Sequence, residues 1–155
     1  MADPADVDDR LWVWGMNASR PRLLHSMIRV RDVDESLRFY RDGMGMKILD
    51  RYDFEAHKFS ILFLSYDDYG SGPALELTYN WGAEEPYSHG TGYGHIAVGV
   101  PDVAEMAATL SEHGGTITKE PYRLVEGGPM MAFVKDPDGY SIELIQTSRQ
   151  DGADG

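Results

Sequence analysis

Apolar and polar positions along this chain follow one period, switch to another, and then do the same again. Residues 23–30 are mostly apolar or β-branched, which predicts a strand. Val33, Leu37, Tyr40 and Met44 then recur at helical spacing. Asp32 with Glu35 three positions on is a variant of the capping box that opens a helix, and Gly43 and Gly45 mark its end. Residues 46–52, 59–66 and 74–79 read as three further strands, separated by polar segments and by the turn-forming Gly70-Ser71-Gly72-Pro73.

The second half repeats this order. Residues 96–100 form the strand pattern, Asp102 and Glu105 the same Asp and Glu box, and Val103, Ala107 and Leu110 one helical face that closes at Gly114-Gly115. Three strands follow, around 116–118, 130–134 and 141–145, the last preceded by the turn Asp136-Pro137-Asp138-Gly139. The two halves also align residue by residue: His25, Val30, Asp32 and Val33 stand seventy positions before His95, Val100, Asp102 and Val103. Each half is β-α-β-β-β, so the expected class is α+β with two tandem modules. The expected organisation is a domain at 22–146 made of repeats 22–80 and 93–146, flanked by tails at 1–21 and 147–155. In the first tail an Asp-rich stretch gives way to Trp12 and Trp14, alternating with aliphatics. They predict either a short extended arm over an apolar groove, on this subunit or a partner, or local packing on the domain surface.

Charge narrows the choice of partner. Twenty-six acidic against fourteen basic residues leave a net charge of -12, which opposes nucleic acid and anionic membranes. An anionic ligand must therefore meet a metal or a few placed Arg and Lys. There is no cysteine, so a metal must be held by His, Asp or Glu. The chain has no apolar run near the roughly 18 residues of a membrane span, and its start is acidic, where a secretory signal is basic. A soluble, cytoplasmic protein is expected.

Four residues then stand out. His25 and His95 are lone imidazoles in small or apolar strand sequence at equivalent repeat positions. Glu76 and Glu143 each sit between aliphatics on the last strand of a half, which alternation turns to the opposite face. A duplicated unit with His on its first strand and Glu on its fourth can bring His25, Glu76, His95 and Glu143 to one point. Two imidazoles and two carboxylates suit Zn²⁺, Ni²⁺, Co²⁺ or Fe²⁺ with positions left open for water or substrate. Burying both carboxylates without a cation would cost several kcal/mol each. Each residue alone reads as a hydrogen-bonded histidine or a solvent-facing glutamate; their joint recurrence favours the metal. His57, His89 and His113 lie in polar, turn-like or helix-end settings and read as structural.

The strings RLLHSMIRV, FYRDGMGMKIL, LELTYNWG, YGHIAVGV and FVKDPDGYSIELI together resemble glyoxalase I of the vicinal oxygen chelate superfamily, from Arg22 to Gln146. The resemblance implies paired modules with cupped mixed sheets and a homodimer with its sites at the subunit interface, His25 and Glu76 from one subunit and His95 and Glu143 from the other. It implies as substrate the hemithioacetal of methylglyoxal and glutathione, isomerised to S-D-lactoylglutathione. The short segment between Trp81 and His95 resembles that of the nickel- or cobalt-activated class, so Ni²⁺ or Co²⁺ is expected, with Zn²⁺ as runner-up. Such an isomerisation removes a weakly acidic proton next to a carbonyl. A divalent cation stabilises the resulting charge, and a glutamate carries the proton from one carbon to the next. The family pattern gives that role to Glu143, with Glu76 its near-symmetric counterpart.

The same resemblance assigns Arg29 and Asn80 to the γ-glutamyl part of glutathione. Arg29, four residues after His25, shares its strand face and can clamp a carboxylate bidentately. At Glu126, however, relatives typically carry a Lys nearby for the glycyl carboxylate; here the charge is reversed, with Lys119, Arg123 and Lys135 as displaced substitutes. Two alternatives follow: a related lyase or isomerase acting on another thiol adduct or a larger 2-oxoaldehyde, and a metal-free binding protein of the same fold.

Overall fold

A computed structural model describes residues 21–147 of the chain; Trp12 and Trp14 lie outside the described residues. The elements are β1 (His25–Val30), α1 (Val33–Leu37) running into a wider helical turn (Arg38–Gly43), β2 (Lys47–Phe54), β3 (Phe59–Ser65), β4 (Ala74–Asn80), β5 (Ile96–Val100), α2 (Val103–Glu112), β6 (Thr116–Arg123), β7 (Met130–Lys135) and β8 (Ser141–Gln146). The β-α-β-β-β order thus occurs twice, as the periodicity predicts.

The first sheet has the order β1-β4-β3-β2, with β1 parallel to β4 and the other pairs antiparallel. Alternation sorts its residues cleanly. Ile28, Val30, Leu62, Leu64, Leu75 and Leu77 share one face and are buried. Each such aliphatic side chain contributes about 1.5–3 kcal/mol on burial. His25, Met27, Arg29, Phe63, Glu76, Thr78 and Asn80 point to the other face.

The second sheet repeats the topology as β5-β8-β7-β6, with β5 parallel to β8. Val98, Val100, Ala132, Val134, Ile142 and Leu144 form its buried face. Helix α2 packs on this sheet through Val103, Ala107 and Leu110. Its N-cap is Asp102, whose carboxylate accepts the Glu105 N–H at 3.0 Å.

Residues 34–44, the helical segment of the first repeat, belong to the compact unit of the second sheet. Two contacts hold them there. The Tyr40 hydroxyl donates to Asp136 Oδ2, and Gly43 meets α2 so closely that a Cβ on it would lie 3.0 Å from Leu110 Cδ2 and 3.1 Å from His113 Cβ. The helix does not stay α-helical to its end, as the spacing alone predicts. From Arg38 to Gly43 it widens to π-helical turns, and the Met44 N–H donates to Phe39 O at 2.8 Å. Phe39, Tyr40 and Gly43 are all buried along this stretch.

β5 keeps the bounds read from the sequence, with His95 one residue before it, but β6 runs to Arg123 instead of stopping near Thr118. Pairing breaks between Lys119 and Tyr122, then resumes as Tyr122 with Met131 and Arg123 with Met130. Pro121, which has no N–H to give to the ladder, lies in the break.

Candidate functional site

The polar face of the first sheet carries one half of the predicted constellation. Glu76 on β4 pairs laterally with Met27 on β1 and with Phe63 on β3, and His25 lies two residues before Met27 on the same face. The edge of the His25 ring meets Phe63, with centroids 5.3 Å apart at 76°. His25 Nδ1 is 2.9 Å from the Tyr69 hydroxyl, and the Thr78 hydroxyl donates to Glu76 Oε2 at 3.2 Å. Burial raises the Tyr69 phenol above its usual range, and the neighbouring Glu76 carboxylate adds to the rise. Arg29 and Asn80 share this face further along, Arg29 beside Thr78 and Asn80 beside Phe59. Asn80 Nδ2 donates to the Tyr87 hydroxyl at 3.2 Å.

The second sheet presents the same pattern in the same register. Glu143 on β8 pairs with Ala97 on β5 and Phe133 on β7, and His95 lies two residues before Ala97. The His95 ring meets the Phe133 ring at 5.5 Å and 77°. Here the two polar groups touch: His95 Nε2 is 2.5 Å from Glu143 Oε2. The Glu143 side chain is only 10% exposed and that of His95 44%.

Loop length explains why the histidines recur at seventy positions and the glutamates at sixty-seven. Eight residues join β3 to β4, but five join β7 to β8, which removes three from the later offset. The extra length in the first sheet carries Tyr69. The Thr78 position, two beyond the glutamate, is Ile145 in the second sheet, which has no hydroxyl to offer.

Sequence reasoning missed Phe63 and Phe133, although they too are seventy apart, and it missed Tyr69, which has no repeat partner to reveal it. The remaining histidines sit elsewhere. His89 stacks on Tyr140 at 4.0 Å, and His113 Nδ1 is 2.7 Å from Thr109 O at the end of α2. His57 lies 6.3 Å from the Phe59 ring. Around the reversed charge, Glu126 is exposed on the β6–β7 loop, the Arg123 guanidinium donates to Gly128 O, and Lys119 Nζ lies 3.9 Å over the Tyr122 ring. Lys119 pairs with Phe133, which puts it on the Glu143 face.

Comparison with known proteins places this arrangement. The profile of the Glyoxalase/Bleomycin resistance protein/Dioxygenase superfamily matches residues 22–144. The probable lactoylglutathione lyase of Vibrio cholerae is 46% identical over 131 residues, which cover 84% of this chain and 94% of that one. The chain belongs to the glyoxalase I family. A second family member, the lactoylglutathione lyase of Haemophilus influenzae, is 44% identical over 81% of this chain and 92% of its own. Among solved glyoxalase I structures, that from Zea mays matches with a TM-score of 0.77 at 40% identity, covering 82% of this chain and 45% of the maize chain. This chain therefore spans about half the length of the maize enzyme. The trypanothione-dependent glyoxalase I of Leishmania major matches with a TM-score of 0.71 at 46% identity, covering 82% and 87% of the two chains.

The glyoxalase I family is metal-dependent, and the residues present fit a cation. A carboxylate as buried as Glu143 is costly without a positive partner, and its close neighbour is an imidazole nitrogen, itself a metal donor. Among the described residues of a single chain, no group of three or more His, Asp or Glu is arranged to hold a metal ion. Each sheet offers one imidazole and one carboxylate. No helix among the described residues is long and apolar enough to cross a membrane.

Proposed function

We propose that this chain is a lactoylglutathione lyase, which isomerises the hemithioacetal of methylglyoxal and glutathione to S-D-lactoylglutathione, and so serves methylglyoxal detoxification. The observation that carries the reading is the twice-written unit of His, Phe and Glu in one register, His25, Phe63 and Glu76 in one sheet and His95, Phe133 and Glu143 in the other. In a homodimer, His25 and Glu76 of one subunit would join His95 and Glu143 of the other around one divalent cation, Ni²⁺ or Co²⁺ in preference to Zn²⁺. Such a cation would supply Lewis acidity for the negative charge that develops on the substrate.

The proton is moved by the chain's own residues. Glu143 takes it from the carbon that bears sulfur and returns it to the adjacent carbon, while the hydroxyl proton passes between the two oxygens; an aldehyde adduct thereby becomes a thioester with no atom gained or lost. The two glutamates differ in the way this role requires. Thr78 donates to the Glu76 carboxylate, whereas Glu143 has Ile145 at that position and faces His95 Nε2. Glu143 would serve as the base, and Glu76 would help hold the cation. Arg29 and Asn80 hold the γ-glutamyl end, on the same face as His25 and Glu76.

Apoprotein reconstituted separately with Ni²⁺, Co²⁺ and Zn²⁺ and supplied with methylglyoxal and glutathione should form thioester, fastest with Ni²⁺ or Co²⁺. Glu143→Gln should abolish turnover yet keep substantial metal binding. An active Glu143→Gln variant would refute the assignment of the base, and inactivity with all three metals would refute the substrate. Glu126 favours a second reading, an adduct of another low-molecular-weight thiol, since the exposed loop that carries it presents negative charge and its Arg123 is engaged with Gly128 O. Activity with a thiol that bears a cationic end, and none with glutathione, would select it.

A further inference from the structure

Tyr69 has no counterpart in the second repeat. It stands in the longer β3–β4 loop, and that loop is fastened at several points. Arg22 donates to Gly70 O at 2.7 Å, the Ser65 hydroxyl donates to Pro73 O at 3.0 Å, and Tyr69 bridges to Gly72. The Tyr69 ring meets Phe63 edge-on at 5.5 Å, which sets its hydroxyl 2.9 Å from His25 Nδ1. An imidazole can ligate through Nε2 only when that nitrogen carries its lone pair, which requires the proton on Nδ1. A fixed oxygen acceptor at Nδ1 favours that tautomer and also locks the ring's rotation.

The geometry points to Tyr69 as a positioning residue of the metal site: its oxygen accepts the Nδ1 proton of His25, presents Nε2 for ligation, and makes the His25 and Glu76 pair the half that retains the cation. The His95 and Glu143 pair, whose Nε2 already faces its own carboxylate, is then the half that exchanges. This rests on the four-ligand reading above. It goes beyond that reading by assigning an asymmetry that the repeated ligands themselves do not contain.

The test compares Tyr69→Phe, which keeps the ring against Phe63 and loses only the oxygen, with Tyr69→Leu and with His25→Ala. Two quantities are read: Co²⁺ and Ni²⁺ affinity by chelator competition, without turnover, and the His25 tautomer from ring nitrogen shifts of the metal-free protein. Tyr69→Phe should lose about 10–100-fold in affinity, nearly as much as Tyr69→Leu, and its His25 should shift away from the Nδ1–H form. A residue that only packed would leave Tyr69→Phe like the parent and Tyr69→Leu impaired. Unchanged affinity or an unchanged tautomer in Tyr69→Phe overturns the proposal. If His25→Ala binds metal as tightly as the parent, the four-ligand reading fails and the proposal with it. Loss of affinity in His25→Ala but not in Tyr69→Phe refutes the role of Tyr69 alone.

Discussion

Tyr40 and Asp136, 96 positions apart, share a buried 2.6 Å hydrogen bond in which the phenol donates to Oδ2. The other oxygen of Asp136 accepts the backbone N–H groups of Asp138 and Tyr140, at 2.9 and 2.8 Å. One carboxylate therefore ties the helical segment 34–44 to the turn before β8. Burial nevertheless pushes Asp136 up to about 6, because its hydrogen bonds only partly offset the lost hydration and Asp138 adds repulsion.

That value gives a pH dependence of definite sign. The folded pKa lies above the unfolded value of about 3.9, so the favourable contribution of Asp136 is complete below about pH 4 and is lost as pH rises through about 6. The loss is of order 3 kcal/mol. Denaturant unfolding of the parent and Asp136→Asn between pH 4.5 and 7.5 should show the parent's relative stability falling across that window. A pH-independent difference between the two would count against it.

Subunit sharing can be read from mixed dimers. His25→Ala and His95→Ala should each be inactive, but co-refolded together they should regain about a quarter of parental activity, since half the dimers are mixed and each has one intact site of two. If each chain built its own complete site, mixing would restore nothing.

Arg29 should act on binding rather than on chemistry. Arg29→Ala is expected to raise KM for the glutathione adduct by about 10–100-fold, the range for a charged hydrogen bond, with kcat little changed. Arg29→Lys should recover only part of this, because an ammonium cannot form the paired contact of a guanidinium. A fall in kcat with KM unchanged would move Arg29 from the binding role to the reacting centre.

Gly115 tests the packing of the second unit. A Cβ there would lie 2.8 Å from Leu110 O, 2.8 Å from Phe39 Cε2 and 2.9 Å from Val134 Cγ1. Gly115→Ala should destabilise by about 1–3 kcal/mol. Gly92→Ala, where a Cβ meets nothing within 4 Å, should be nearly neutral. Equal unfolding midpoints for the two variants would show that Phe39 and Val134 yield without cost.

The sequence by itself determined the order of elements, the duplication, and the face on which each ligand stands. A strand has a side-chain period of two, so the position of Glu76 between Leu75 and Leu77 already separates it from the buried side, and the same holds for Glu143 between Ile142 and Leu144. Helical spacing likewise marked Val103, Ala107 and Leu110. The tertiary structure decided what periodicity cannot carry. Segment 34–44 packs with the second sheet because Tyr40 and Gly43 find their partners at Asp136 and α2, contacts between residues far apart in the chain. His25 meets Tyr69, carried on the eight-residue loop between β3 and β4, while His95, its equivalent in the repeat, meets Glu143. Strand period assigns a residue to a face; loop closure decides which neighbour it finds there.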